Sequence, residues 1–411
     1  MANTLDKKHL TPISQTELDV AIKKHAMYAS AKVGGARAIL SYKDLSGLVL
    51  RGVDLSSADF SGSLFYDADM RNCKMEGSVF FCANLQKAHL NDARLARIDL
   101  RGANVQGVDF SGADLTQADM REGSMATKDR RGNIKVKPLG GAASGKADSK
   151  KTDVPVYTDD VDAREALFIG TKMHRAMLRG ARMQGAIFEN ADLTGAQMDG
   201  ASLREAVLLN TTLDGIELSQ VDFAHALRDE IQGLGIEDTF EPLPQLFTKH
   251  AVWVESGGVI GTRLDLTRYD LRAHKSQYID FKEQNLIMMK ARQAIFYHVR
   301  FSGAQIQACD FRNCDFRLAL FDKADLRGSD FSGSNMMRAR FQLALLYPLK
   351  LPDGRIVPTN MSNCNLRYAD FTGADLKSVN FTGADLSYAD MRGTNLAGAD
   401  ITGAITENTL F

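Results

Sequence analysis

Hydrophobic residues recur at every fifth position along most of this chain. From Leu40 to Met125, all eighteen successive fifth residues are apolar. Because only 44% of all residues are apolar, composition alone does not produce this regularity. Neither the helical period of 3.6 nor the strand period of 2 accommodates strict fives. We therefore predict that the chain turns a corner every five residues.

A second, smaller residue lies two positions before most of these apolar residues, as in Ala58, Cys73 and Ala113. The positions between are mostly Asp, Asn, Ser, Gly, Arg or Lys. Each repeat therefore supplies one large and one small inward side chain and turns the others toward water. With four repeats per circuit, we expect coils stacked about 4.8 Å apart by β-type hydrogen bonds, as in a solenoid.

The pattern occupies four blocks, and the second restarts in a new frame. They span residues 40–125, 163–223, 266–346 and 361–411. In the third block, Ser276 and Ala291 interrupt the large apolar column. About two thirds of the chain is predicted to be repeat.

Individual repeats resemble the A(D/N)LXX signature of the pentapeptide-repeat family. The resemblance is carried by Ala58-Asp59-Phe60, Ala113-Asp114-Leu115, Ala374-Asp375-Leu376 and Ala384-Asp385-Leu386. It implies an all-β solenoid, a right-handed quadrilateral β-helix. The handedness and the four-sided section come from the resemblance and not from the periodicity.

Two similar segments precede the first and third blocks. Lys24-His25-Ala26 with Arg37 resembles Lys249-His250-Ala251 with Arg263. The chain is therefore predicted to be two tandem modules.

Each of these segments is predicted to contain a short helix that caps the open end of a coil stack. In the first, Ser14 and Glu17 form a capping-box pattern, and Leu18, Ile22, Ala26 and Ala29 share the predicted contact face. In the second, Pro244 suits the first turn of a helix, and Gly257-Gly258 is typical of a helix end. A cap would cover the unpaired backbone groups of the first coil.

Each module is predicted to be interrupted once. The first interruption is interpreted as a hairpin followed by a flexible basic linker with Gly140 to Lys146, and the second as a hairpin containing Pro352-Asp353-Gly354. Ala224 to Ile231 is predicted to be partly helical. The predicted boundaries are a tail and cap at 1–39, coils at 40–125, a hairpin and linker at 126–162, coils at 163–223, a helical linker and second cap at 224–265, coils at 266–346, a hairpin at 347–360 and coils at 361–411.

Charge and composition exclude several classes of protein. The formal net charge is −1, so bulk charge predicts no general attraction to nucleic acid. No apolar run is long enough for a membrane span, and the first ten residues lack the apolar core of a signal peptide. We expect a cytoplasmic protein.

The side chains that could carry chemistry favour structural roles. Cys73, Cys309, Cys314 and Cys364 occupy the small inward column, whereas Cys82 is expected to face outward. The histidines have no metal-ligand spacing, and His25 and His250 recur at equivalent places in the predicted caps. The glycines form no phosphate-binding motif. We predict no catalytic residues, no metal and no cofactor, and hence no enzyme.

Only the third block is basic, with 13 Lys and Arg against 8 Asp and Glu. Its arginines could bind an acidic partner or nucleic acid, but a scattered solvated face is the favoured interpretation. The interruptions carry further basic residues. The candidate partner-binding residues are Arg292, Arg300, Arg312, Arg317, Arg327, Arg338, Arg130, Arg131 and Arg355.

The leading hypothesis is a non-catalytic scaffold that binds another protein, whose identity the sequence leaves open. The resemblance implies an alternative, because some family members mimic DNA and bind type II topoisomerases. A secreted effector is also known in the family, but no export signal favours it. The segment from Ile401 to Phe411 lacks a polar cap and is a candidate place for two copies to meet.

Overall fold

The computed structural model describes residues 10–123, 126–128, 134–136, 160–235, 238–239, 241–272 and 279–411. The chain divides into two compact units, Met1–Asp229 and Glu230–Phe411. Each unit has its own hydrophobic core. The two units are described separately below.

Parallel bridges with a spacing of 20 residues define the coils. In the first unit, one such column runs from Ile39 through Asp59, Val79 and Asp99 to Asp119. The backbone N–H of Leu40 donates to Asp59 O at 2.7 Å, and the N–H of Asp59 donates back to Ala38 O at 3.0 Å. Since 20 residues are four pentapeptides, each coil has four repeats, as the family resemblance implies.

The corner of each repeat requires a left-handed backbone conformation. The second residue after the large apolar residue has a φ near +60°, as at Gly112 (72°) and Asn190 (58°). Glycine and asparagine adopt this conformation at low cost. The frequent Gly, Asn and Asp at this position are therefore corner residues.

Large side chains stack along the axis of each unit. In the second unit, Phe301, Phe321, Phe341 and Phe371 form one column, with ring centroids 5.0, 4.9 and 4.6 Å apart and nearly parallel planes. The smaller inward residues fill the space beside them, and Ala291 is fully buried in the large column. The core thus follows the two columns predicted from the sequence.

The regular elements outside the coils are few. In the first unit, β1 (Thr11–Pro12) pairs in parallel with β2 (Lys43–Asp44), and α1 spans Gln15–Ala29 between them. Strands β3 (Ala126–Lys128) and β4 (Ile134–Val136) form an antiparallel pair. In the second unit, α2 spans Leu243–Glu255, and β5 (Leu349–Lys350) pairs antiparallel with β6 (Ile356–Val357).

The two interruptions of the repeat, here called excursions, do not break the coil stack. Asn104 bridges Asp162 across the first excursion, and Asp330 bridges Asn360 across the second. The backbone bonds across these joins match those elsewhere, as in Val105 N to Asp162 O at 2.8 Å. Each excursion is therefore an insertion at a corner of an otherwise continuous stack.

Two details of the helix predictions need correction. Ala224 to Ile231 is not helical, because Leu227 still bridges Val207 and His225 has a φ of 61°, which no α-helix accommodates. The repeat continues there since Leu227 gains a backbone bond to the preceding coil. In α1, Leu18 and His25 are buried while Ala26 and Ala29 are exposed. Its contact face is therefore Leu18, Ala21, Ile22 and His25.

The predicted helix ends are confirmed. Ser14 and Glu17 form the capping box of α1, with the Ser14 N–H donating to the Glu17 carboxylate at 2.8 Å. Pro244 lies in the first turn of α2, and Gly257 follows its last residues with a φ of 65°.

Candidate interaction surface

The polar residue directly before the large apolar residue of most repeats caps the corner that follows. Asp109 Oδ1 accepts a hydrogen bond of 2.9 Å from the backbone N–H of Ser111, two residues later. Asn104 makes the same bond to Gln106 at 3.1 Å, which explains why Asp and Asn alternate at this position. The bond from Ala224 N–H lowers the pKa of Asp222. These carboxylates therefore serve the fold, as the Asx turn does elsewhere.

Where arginine follows the central apolar residue, it forms a two-pronged ion pair with this same aspartate. Arg71 Nε and Nη2 donate to the two carboxylate oxygens of Asp69 at 2.7 and 2.6 Å. This pairing lowers the pKa of Asp69 to about 2. The same pair recurs at Asp99–Arg101, Asp119–Arg121, Asp162–Arg164, Asp270–Arg272, Asp310–Arg312, Asp315–Arg317, Asp325–Arg327 and Asp390–Arg392. We name this local unit the Asp-X-Arg fork.

The forks neutralise arginine and aspartate charges that the totals for each block treat as free to bind a partner. An arginine and an aspartate two residues apart on one repeat are each other's partners. The recurring Asp-X-Arg spacing is visible in the sequence and would have identified these pairs. The totals of Lys, Arg, Asp and Glu in each block do not reveal these pairs.

The candidate arginines lie on all four walls of the second unit. Arg292 and Arg312 stack on one wall beside Asp310, with Arg292 Nε 3.7 Å from the carboxylate. Arg300 pairs with Asp280 on a second wall at 3.5 Å, and Arg317 on a third is only 3% exposed.

The remaining candidates lie at other places. Arg327, on the fourth wall, bonds Asp325 and stacks 4.9 Å from the ring of Tyr347. Arg338 lies 4.7 Å from the ring of Tyr368. Arg355 is exposed in the turn between β5 and β6. Arg130 and Arg131, like the linker at Gly140 to Lys146, lie outside the described residues. The described candidates thus form no single cationic patch.

A cleft in the first unit lies beside the point where the chain leaves the stack. It measures about 490 Å³ and is lined by Arg101, Arg121, Arg179, Glu122 and Asp160. The arginines come from three successive coils, but each is paired with an aspartate, as Arg179 is with Asp199 at 2.8 Å. The paired charges and the two further acids leave no excess positive charge for an anion.

The inward cysteines occupy positions that serine and threonine take in other coils. The Cys314 thiol donates to Ala291 O at 2.8 Å, and the Ser334 hydroxyl in the next coil donates to Phe311 O at the same distance. Burial raises the pKa of Cys73, Cys309 and Cys364 to about 12. Such thiols are poor nucleophiles.

Cys82 lies outside the hydrophobic core, in line with the prediction that it faces outward, but it is not exposed. Cys82 stands at a corner with a φ of 54°, but its side chain is only 7% exposed. Gly102 lies directly beside it in the next coil, where an added Cβ would come within 3.0 Å of the thiol sulfur. A corner residue can therefore be covered by its neighbours along the stack.

The two histidines of the duplicated segments make matching contacts. The N–H of Ala38 donates to His25 Nδ1 at 3.0 Å, and the N–H of Leu264 donates to His250 Nδ1 at the same distance. Accepting at Nδ1 leaves His25 Nε2 to donate to Ser56 O at 3.1 Å. Each imidazole therefore links its helix to the segment that follows it in the sequence.

A glycine and an arginine recur beside these histidines. An added Cβ at Gly35 would lie 2.3 Å from Tyr28 N, and one at Gly261 would lie 2.3 Å from Lys249 O. Arg37 Nε donates to Ser57 O, and Arg263 Nε donates to Met288 O. Histidine, glycine and arginine therefore form a common framework for both segments.

Metal-binding and membrane-spanning features were sought throughout the described ranges. No group of three or more His, Cys, Asp or Glu side chains there could hold a metal ion. No helix in the same part of the chain is long and apolar enough to cross a membrane.

Comparison with known proteins identifies the family. A family model described as pentapeptide repeats matches eight times, over residues 36–65, 44–81, 78–117, 159–195, 186–224, 300–337, 359–383 and 374–405. A search of the curated proteins found no match.

Several solved structures match this chain. HetL, a pentapeptide repeat protein involved in heterocyst differentiation regulation in the cyanobacterium Nostoc sp. strain PCC 7120, is 18% identical, covering 93% of this chain and 94% of its own, with a TM-score of 0.21. The Nostoc pentapeptide repeat protein alr5209 is 28% identical over 24% of this chain and 76% of its own, with a TM-score of 0.21. QnrB1, a plasmid-mediated fluoroquinolone resistance protein, is 15% identical over 54% of this chain and 98% of its own, with a TM-score of 0.18. Since the family model matches more than half of the residues, the chain belongs to the pentapeptide-repeat family.

Proposed function

We propose that this protein is a non-catalytic cytoplasmic scaffold that binds another protein through surfaces carried on a rigid β-helix. The observation that carries the proposal is the β5–β6 hairpin, which projects from a stack that does not need it. Asp330 bridges Asn360 across the hairpin as Asp310 bridges Asp330 one coil earlier. The extra residues therefore contribute no coil, which supports a role outside the fold.

The hairpin is held firmly at its base. Leu349 packs so closely on Gly328 that an added Cβ there would lie 2.9 Å from the leucine Cβ. The Tyr347 hydroxyl accepts a hydrogen bond from Arg327 Nη1 at 3.1 Å. At the other end, Ile356 is 69% exposed beside the Asp353–Arg355 ion pair. An anchored base with an exposed apolar and charged tip suits protein recognition.

The exposed arginines form the secondary part of the proposal. Arg355 lies at the hairpin tip, and Arg292, Arg300 and Arg312 keep exposed side chains on two walls. We expect them to act as rim contacts, which favour association rate over affinity. Arg317 is too deeply buried to contribute.

The test removes the hairpin without disturbing the period. Replacing residues 348–358 by a single glycine restores five-residue spacing between Leu346 and Met361 and places glycine at the corner. Affinity capture from the native cell, with wild type and this variant, should recover a partner that only wild type retains. A matched Arg392→Gln variant, on the coils beyond the hairpin, should retain it. Recovery of the same proteins by all three would refute the hairpin as the binding element.

The two helices are proposed as caps of two modules. Leu18 is fully buried against the first coils, and Leu243, Leu246 and Phe247 pack against the second core. The shared histidine, glycine and arginine contacts favour a duplicated origin for the two segments. Replacing Leu18 by Asp should lower the thermal stability of the first unit if α1 acts as a cap.

A second proposal concerns self-association at the last coil. Ile401 is 49% exposed and Phe411 is 65% exposed, although both occupy the large inward column. Exposed apolar residues at a coil end suit a second copy of the chain. Sedimentation of wild type and of Ile401→Asp tests this idea: a dimer that becomes a monomer supports it, and a monomeric wild type refutes it.

DNA mimicry toward a type II topoisomerase is the weaker alternative. It requires a long face of unpaired carboxylates, whereas the forks pair many of them with arginine. A supercoiling assay with and without the protein would test it, and protection of the topoisomerase from an inhibitor would revive it.

A further inference from the structure

The second half of α1 and the turn that follows it are basic, although the first half of the helix contains Glu17 and Asp19. Residues 20–43 contain five Lys or Arg and no Asp or Glu. The coils that follow have the opposite sign, with 9 Lys and Arg against 12 Asp and Glu over residues 40–125. Residues 20–43 thus carry a net positive charge, whereas the coils beside them are net negative.

The backbone brings these cations together. The turn after α1 folds back, with the Lys32 N–H donating to Met27 O at 2.8 Å and the Ala36 N–H donating to Lys24 O at 3.0 Å. Lys32 and Arg37 are therefore held beside the second half of α1, where Lys23 and Lys24 are exposed. We call Lys23, Lys24, Lys32, Val33 and Arg37 the basic end.

An aliphatic side chain projects from the middle of this cluster. Val33 is 98% exposed at the tip of the turn, and Tyr28 is half-exposed on the adjacent helix face. The equivalent turn after α2 also exposes a valine, Val259 (84%), so the lysines around Val33 are what distinguish this turn. An apolar tip surrounded by cations and an aromatic ring matches the chemistry of an interfacial membrane contact.

The duplicated segment shows which of these residues the fold requires. His250 repeats the Nδ1 contact of His25, and Gly261 and Arg263 repeat the close approach of Gly35 and the backbone contact of Arg37. Lys23 corresponds to Thr248, and the turn after α2 contains no lysine. Lys249 is paired with Glu241. Lys23 and Lys32 therefore have no lysine counterparts in the second segment, which forms the same histidine, glycine and arginine contacts without them.

We infer that the basic end docks the first unit on an anionic lipid surface. Each Lys or Arg near such a surface contributes about 1 kcal/mol, so four give reversible binding. If the unit contacts the lipid through the end of its coil stack, most of the acidic walls lie farther from the lipid than the Debye length of ~8 Å, so their repulsion is screened. Val33 enters the headgroup region. Nucleic acid is disfavoured because it offers no apolar phase to a fully exposed valine.

Vesicle sedimentation of the full chain tests this inference. Vesicles containing phosphatidylglycerol should carry the protein down at low salt, and phosphatidylcholine vesicles should not. The triple variant K23Q/K24Q/K32Q should lose at least about tenfold in affinity, which equals 1.4 kcal/mol. The matched control K290Q/K323Q/K377Q removes three exposed lysines from the second unit and should bind as wild type does.

A second pair of variants separates the lipid from other polyanions. Val33→Asp should weaken vesicle binding, whereas Val33→Leu should preserve or strengthen it, with circular dichroism confirming that both fold. Absence of binding to phosphatidylglycerol vesicles would overturn the inference, as would equal losses in the two triple variants. Binding to duplex DNA through the same lysines, with none to vesicles, would also overturn it.

Discussion

At the scale of single residues, the aspartate before the large apolar residue of a repeat has a local role in the backbone turn, which a count of charges does not show. Its Oδ1 accepts from the backbone two residues later, and a following arginine then binds the same carboxylate. Asn104 shows that the negative charge is not needed for the first of these bonds. The Asp-X-Arg fork therefore adds stability and neutralises charge within one repeat.

The buried cysteines give the first prediction. Cys314→Ser should change stability by less than about 1 kcal/mol, because the hydroxyl can donate to Ala291 O as Ser334 donates to Phe311 O. Cys314→Leu should destabilise by about 1–3 kcal/mol through overpacking. Thermal unfolding of both variants measures the difference. A large loss in the serine variant would show that the thiol has a role beyond packing.

His250 gives a prediction about pH. Burial is the main reason that the pKa of His250 lies below its usual value of 6.5, although the backbone of Leu286 and Ile287 acts in the opposite direction. The unfolded state therefore binds a proton more readily than the folded state. The stability contributed by the neutral ring should be present above pH 6.5 and should fall as the pH drops below it.

Urea unfolding at about pH 7.5 and pH 5.5 measures this effect, provided that His250→Gln is compared with wild type. Wild type should lose more stability on acidification than the variant does. Equal losses would show that His250 does not carry the pH dependence.

At the scale of elements, the aromatic columns bind one coil to the next. The rings of Phe296 and Phe316 stack 4.9 Å apart, which matches the spacing of neighbouring coils. The five-residue period determined these columns because every repeat contributes a large residue at the same height. The right-handed winding is a property of the family fold and did not follow from the period.

Phe316→Ala should remove about 3–5 kcal/mol of stability from the second unit, since it leaves a cavity between stacked rings. Leu343→Ala is the matched control, because Leu343 lies at an exposed corner in the same unit, and its loss should stay within about 0.5 kcal/mol. Chemical unfolding followed by Trp253 fluorescence measures both variants. Similar losses would show that the stack tolerates a missing ring.

At the scale of the whole molecule, the two cores share no residue. Leu18 to Ala226 line the first, and Leu264 to Met391 line the second. We therefore expect two unfolding transitions and not one. The chain contains a single tryptophan, Trp253, which reports on the second unit alone.

Leu203→Asp buries an unpaired carboxylate in the first core, which costs several kcal/mol. It should lower the first transition seen by circular dichroism and leave the Trp253 fluorescence transition unchanged. Coincident shifts in both signals would mean that the two units unfold as one.

The sequence by itself determined the repeat, its inward columns and its corners, because these depend on residues within five positions of one another. Leu45, Leu50 and Leu55 are buried as the period requires. The helix ends followed for the same reason, since a capping box is local.

Features that depend on contacts between residues far apart in the sequence were decided only by the tertiary structure. Burial of Cys82 depends on the neighbouring coil, and continuation of the repeat through Leu227 depends on a bridge to Val207. The face of α1 that meets the core includes His25, whose imidazole bonds Ser56 O and the Ala38 N–H, and these contacts lie far from the helix in sequence. The walls to which the arginines belong follow from the bridge register, which insertions shift and which no local pattern records.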